Sequence, residues 1–130
     1  EGVNDGTIDA VSSNHASQNI EQKQMEFDYA DYGSLTLQQL FAWYVEYLAK
    51  DISVERFMQT LTQGPAHVLR LDYGSLQVGD IAHLTVVDQG AKWDFDATTN
   101  ASLSKNTHTW NTKLSGRVKA VFHRKKVNLY

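Results

Sequence analysis

One hundred and thirty residues, 42% of them apolar and 21% charged, can build a core, so the composition excludes wholesale disorder. The absence of cysteine excludes a disulfide framework, a thiolate metal site and a cysteine nucleophile, and suits a reducing compartment. A net charge of −3 gives no reason to expect nucleic acid or membrane as partner, and no run reaches the ~18 apolar residues of a membrane span. The mean charge hides a gradient: residues 1–35 hold seven acids against one base, Lys23, whereas residues 97–130 hold seven Lys or Arg and no acid. Cytoplasm is the expected location, and the first residues show neither the basic nor the apolar region of a signal peptide.

Asp5-Gly6 reads as a turn and residues 7–12, Thr-Ile-Asp-Ala-Val-Ser, as a short buried strand. The polar stretch Ser13 to Gln24 reads as a loop, and a strand running into such a loop is a common place for a site. From Leu37 the apolar positions Leu40, Phe41, Tyr44, Val45 and Leu48 follow helical spacing, which predicts a helix with one buried face ending near Lys50. Ser53 is a good N-cap for a second helix with Val54, Phe57, Met58 and Leu61 on one stripe, stopping at Gly64-Pro65. Pro65 can then open a short third helix as its first residue.

After Leu71 the period changes from 3.6 to 2. Strands are predicted at Ser75-Leu76-Gln77, at Leu84-Thr85-Val86-Val87 and at Lys92 to Phe95, and residues 114–122 with a turn at His123 to Lys126 predict a closing hairpin. The pentapeptide Asp-Tyr-Gly-Ser-Leu occurs at 31–35 and at 72–76, but its flanks predict a helix after one copy and a strand after the other, so it is coincidence rather than a repeat. His67, His83, His108 and His123 have no His-x-His or His-Glu-x-x-His spacing and read as surface histidines.

Several segments, in order, resemble type I dihydroorotases of the amidohydrolase superfamily. Residues 5–16, Asp-Gly-Thr-Ile-Asp-Ala-Val-Ser-Ser-Asn-His-Ala, are similar to the segment carrying Ser-Asp-His-Ala-Pro-His on the last barrel strand of that family. Phe27-x-x-Ala30-x-x-Gly33 resembles its Phe-x-x-Ala-Pro-x-Gly loop, and residues 64–71 resemble Asn-Pro-Ala-Arg-Ile-Leu-Gly-Leu. Residues 74–88 resemble Gly-Ser-Leu-x-Val-Gly-x-Asp-Ala-Asp-Leu-Thr-Val-Val-Asp, while Ser104-Lys105-Asn106-Thr107 and Leu114-x-Gly116-Arg117-Val118 resemble the motifs of the final strands.

The resemblance implies an α/β fold: the C-terminal part of a TIM-type (β/α)8 barrel in residues 1–71, then strands of a small composite β-sandwich in residues 72–130. A whole barrel takes about 250 residues, so the expectation is a fragment of a longer protein whose principal metal ligands lie upstream. The family's chemistry implies zinc, which makes a water nucleophilic, and an Asp that moves the proton. At that Asp position stands Asn14, an amide that cannot act as a base. Gln18 replaces the second His of the motif, which helps hold the substrate carboxylate. Ser17 replaces a proline, and Asp31 replaces the proline of the loop against the substrate ring, placing negative charge near an anionic substrate. His15, Ala30 and Gly33 match the family.

Clustered departures within a kept scaffold lead to the expectation of a retired active site, with no catalytic or substrate-binding residues, no metal ligand in this chain and zinc lost. Inactive relatives of this kind imply a non-catalytic subunit of pyrimidine biosynthesis that is oligomeric and supports assembly or stability of the aspartate carbamoyltransferase catalytic chain. The basic stretch Lys113 to Lys126 is one candidate contact surface. The alternative is an active zinc dihydroorotase or related cyclic amidohydrolase, tolerant of Asn14.

Overall fold

The computed structural model describes residues 1–72 and 76–130. A first helical turn, α1 (Gly2–Asp5), ends at Gly6, whose φ of 90° is the left-handed conformation that glycine adopts without Cβ strain. Residues 7–12 form no strand, contrary to the sequence reading: Thr7 lies in a bend, residues 8–12 have no regular structure, and all but half-buried Val11 are exposed rather than buried. A segment becomes a strand only beside another, and this one lies against helices: Val11 N–H donates to Thr60 O at 3.1 Å, and Arg56 holds the carbonyls of Val3 and Ile8. The polar loop contains one helical turn, α2 (Ile20–Lys23), where the Gln22 side chain reaches back to the Asn19 N–H at 3.2 Å.

The helix expected from Leu37 forms as one rod of changing pitch. A 3-10 turn (Leu37–Gln39) leads into α3 (Leu40–Trp43), and a π turn (Tyr44–Leu48) follows. A stripe at 3.6 spacing keeps phase only where the pitch is 3.6. Phe41 and Tyr44 in the middle are therefore buried, while Leu37 at one end is 64% exposed and Leu48 at the other 39%. After it, α4 (Val54–Leu61) starts as predicted, with the Ser53 hydroxyl accepting from the Arg56 N–H at 3.2 Å.

The break between α4 and α5 (Gln63–Val68) falls at Thr62, so Gly64-Pro65 lies inside a helix rather than stopping one, and Pro65 is its third residue. Proline fits there because the first-turn N–H groups need no intrahelical acceptor. Gly64 serves packing: a Cβ on it would stand 1.8 Å from Asp9 O, so only glycine lets α5 approach residues 7–12.

The strands predicted around Leu84–Val87 and Lys92–Phe95 are one long strand, β1 (His83–Phe95), antiparallel to β2 (Thr112–His123), which pairs in turn with β3 (Lys126–Leu129) across the expected turn. What looked like a gap is a bulge. Between the pairs Asp88↔Arg117 and Lys92↔Ser115, residues 89–91 of β1 face Gly116 alone, and the Asp88 carboxylate accepts from Gly90 and Ala91 N–H. Gly116 has φ 86°, and a Cβ there would lie 2.6 Å from Val45, so the bulge sits where the helical rod presses on the sheet. Leu76 and Gln77 of the expected Ser75-Leu76-Gln77 strand form no strand, Leu76 lying in a bend and Gln77 O accepting from Asp80 N–H at 3.1 Å, and Ser75 lies outside the described residues.

Helices and sheet share buried clusters. Leu35 and Ala42 pack with Trp93, Phe95 and Leu114, and Phe41, Tyr44 and Phe57 form a second group that includes partly buried Val11 and Val87. Tyr44 and Phe57 stack at 4.2 Å and 9°, and the Tyr44 hydroxyl donates to Ile52 O at 2.9 Å. Burial pushes the Tyr44 phenol above its ordinary value. No helix among the described residues is long and apolar enough to cross a membrane.

Candidate functional site

Three segments distant in sequence meet beside the start of the rod: residues 15–18, residues 31–37 and residues 104–107. Asn106 joins them. Its Nδ2 donates to Gly33 O at 3.2 Å and its Oδ1 accepts from Gln18 N–H at 3.2 Å. Its backbone carbonyl accepts from Leu35 N–H at 2.9 Å and from the Ser34 hydroxyl at 3.0 Å. The Ser104 hydroxyl adds a bond to Gln18 O at 2.8 Å. Gly33 is required where it stands: φ is 116° and a Cβ would meet Ala16 O at 2.4 Å.

His15 is a helix cap. Its Nδ1 accepts from Thr36 and Leu37 N–H at 3.1 and 3.2 Å, which satisfies two donors at the N-terminus of the rod. A nitrogen that accepts carries no proton, so the ring holds its proton on Nε2. Gln18 turns its amide to Tyr32 O at 3.1 Å, and Lys23 Nζ donates to the carbonyls of Asp31 and Gly33. Asp31 N–H donates to Gln22 O at 3.1 Å while its side chain is exposed. Ala30 N–H closes the preceding turn on Glu26 O.

Asn14 stands apart from this network. It is exposed, its own N–H bonds the Ser12 hydroxyl at 3.2 Å, and its φ of 48° is a left-handed conformation that Asn and Asp tolerate better than other side-chain-bearing residues. The structure therefore brings Gln18, Gly33 and the Asp31 backbone together and puts His15 next to them on the rod. Ser104 and Asn106, which organise the whole, were legible only as a weak motif, because their partners lie 72 to 88 residues away.

Along the rod and the sheet runs a mostly apolar groove of about 700 Å3, with His15, Gln38, Ser102 and Arg117 at its polar positions and Phe41 and Trp93 among its apolar ones. A smaller hollow of about 390 Å3 lies between residues 18–21 and 103–106. Among the described residues no three His, Asp or Glu side chains gather as metal ligands, and His15 already uses Nδ1 on the backbone. The described residues do not by themselves supply a set of zinc ligands. His67, His83, His108 and His123 are exposed as expected, yet two of the four pair across β1 and β2: the rings of His83 and His123 are 4.6 Å apart.

A run of helices followed by an antiparallel meander, with a polar loop cluster at their junction, is a mixed helix-and-sheet arrangement. The amidohydrolase family pattern matches residues 1–124, and the chain belongs to that family. Among its relatives is a dihydroorotase of Anaeromyxobacter dehalogenans, 35% identical over 118 residues, which cover 90% of this chain and 27% of that protein. A dihydroorotase of Geotalea daltonii is 32% identical over 116 residues, covering 88% and 27%. In three dimensions the chain resembles a D-hydantoinase (dihydropyrimidinase) from Thermus sp., with TM-score 0.78 and 21% identity over 98% of this chain and 30% of the other. An L-hydantoinase (dihydropyrimidinase) from Arthrobacter aurescens gives 0.77 and 25% over the same shares. The chain spans little more than a quarter of the length of these curated relatives.

Proposed function

We propose that this chain is the C-terminal part of a non-catalytic dihydroorotase-like subunit of pyrimidine biosynthesis, which supports assembly or stability of the aspartate carbamoyltransferase catalytic chain. The observation that carries the reading is Asn14. The family's proton-moving carboxylate position is held by an amide, and loss of a general base costs roughly 10²–10⁴ in rate. Its neighbours support the same reading through what they do instead: His15 caps a helix, and Gln18 bonds a loop carbonyl. Each is tied up in holding the scaffold. On this reading zinc is dispensable to the role, and residues 1–71 and 72–130 serve as the end of a barrel and part of a β-sandwich.

The competing reading is an active zinc dihydroorotase in which a different group moves the proton. It is favoured by the dihydroorotase names of relatives 32–35% identical over these same residues. Dihydroorotate hydrolysis by the full-length protein with zinc supplied decides between them. Turnover within tenfold of an active homologue overturns the non-catalytic reading. For the partner, co-purification with the carbamoyltransferase chain is the expected result, and assembly of that chain at equal yield without this protein refutes the role.

A further inference from the structure

The start of β1 and the end of β2 bring two histidines together. His83 and His123 are direct partners in the register of the two strands. Next to them Arg124 N–H donates to Ala82 O at 2.7 Å, so residues 82 and 124 form a hydrogen-bonded pair and the histidines occupy the adjoining non-hydrogen-bonded one. Side chains stand closest at such positions, because the backbones approach there to about 4.5 Å between Cα atoms. The two rings meet edge to face, with 4.6 Å between centres and 70° between planes.

That separation suits two imidazoles on one metal ion. A bond of about 2.0–2.1 Å from ion to nitrogen puts each ring centre about 3.2 Å from the ion, so two ligands about 90–110° apart have centres about 4.5–5.2 Å apart. Among the described residues no hydrogen bond occupies a nitrogen of either ring, in contrast to His15, whose Nδ1 is taken by the backbone. Turning the rings about their side-chain bonds, a motion of picoseconds to nanoseconds, aims one nitrogen of each at a common point.

The surroundings select the ion. Lys126 is paired with His123, and Arg124 and Lys125 form the turn between them. Positive charge on this side opposes a cation held by charge alone, and Ca2+ and Mg2+ take oxygen ligands in any case. What remains are ions that bond imidazole strongly, with Cu2+ above both Ni2+ and Zn2+.

We propose that His83 and His123 form a two-imidazole site for a nitrogen-preferring divalent ion, Cu2+ first, which clips the start of β1 to the end of β2. Each ring supplies one nitrogen. No third His, Asp or Glu joins them among the described residues, so water or a donor from elsewhere in the full-length protein fills the other positions. The spacing of the two ligands is set by strand register inside this chain and does not rest on an open face: whatever lies over the sheet in the full-length protein, the rings remain opposite each other. The site is independent of dihydroorotate turnover and of the carbamoyltransferase partner.

The test is equilibrium dialysis of the full-length protein against micromolar Cu2+ with excess Mg2+ present, copper being counted per chain in the unaltered protein and in His83→Phe and His123→Phe. Phenylalanine keeps a ring at each position, so the cross-strand contact persists, and circular dichroism checks the fold. The unaltered protein is expected to hold one ion more than either variant, and both variants to lose it equally, because a single imidazole does not chelate. Electron paramagnetic resonance of that extra copper should show coupling to two imidazole nitrogens. A readout that needs no variant is amide hydrogen exchange: at about ten times the dissociation constant, bound copper slows it about tenfold at residues 82–85 and 120–123 and leaves α4 unchanged. Equal copper in all three proteins overturns the proposal. So does loss of the ion in one variant alone, or exchange at the strand ends that copper does not slow.

Discussion

The rod–sheet core and the loop cluster beside it are held together by different forces. In the core, Tyr44, Phe57, Trp93 and Phe95 are each at most 7% exposed and touch as rings, Trp93 and Phe95 edge to face at 5.8 Å. In the cluster, half-exposed Gln18, Ser104 and Asn106 exchange hydrogen bonds with backbone groups. Apolar packing depends on volume, so a core position tolerates little change. A polar cluster depends on donors and acceptors, which several residue types can supply. By that contrast, a change of residue type is borne more easily in the loop cluster than in the core.

Breaking the core has the largest effect. Phe57→Ala removes one face of the Tyr44 stack and is expected to cost about 3–5 kcal/mol in urea unfolding; a loss below about 1 kcal/mol would mean that the stack is not what holds the helices. Gly33→Ala probes the tightest point of the cluster. A Cβ against Ala16 at a positive φ should cost about 1–3 kcal/mol, and proteolysis within residues 25–32 should speed up along with it. Asn106→Ala, which deletes three side-chain hydrogen bonds of the cluster, with Gly33, Gln18 and Ser104, should cost about 1–2 kcal/mol, with faster amide exchange at Gln18 and no change at β1.

Tyr44 sharpens the comparison through pH. Its folded value is raised by burial, so its contribution is intact below the ordinary 10.0 and is lost as pH rises through the raised value. Urea midpoints should therefore fall above pH 10 and fall less in Tyr44→Phe, while equal declines in both would assign the alkaline loss elsewhere. The smallest effect belongs to Asn14→Asp. At an exposed left-handed position both residues fit, and stability should change by less than about 0.5 kcal/mol. On the proposed non-catalytic reading this variant of the full-length protein gives no dihydroorotate turnover, and turnover gained by this one change would mean that the other departures matter little.

Much of the architecture was legible because local signals and burial agreed. The Ser53 cap, the stripe through Phe57 and the turn at His123 to Lys126 are set by neighbours a few residues apart, and each formed as read. The misreadings share one cause. Residues 7–12 have strand composition, but a strand needs a neighbour, and this segment lies against helices. Gly64-Pro65 reads as a stop, yet Gly64 is there for its approach to Asp9. Leu37 keeps helical spacing while a tighter turn carries it out of the core.

The sequence by itself determined the family and the charge polarity, because each is a matter of residue type in order along the chain. Only the tertiary structure decided what the residues of the loop cluster do. That His15 caps the rod, that Asn106 gathers three loops and that His83 stands opposite His123 all depend on contacts between residues far apart in the chain, and the energy of such contacts exists only once the backbone has brought them within a few ångströms.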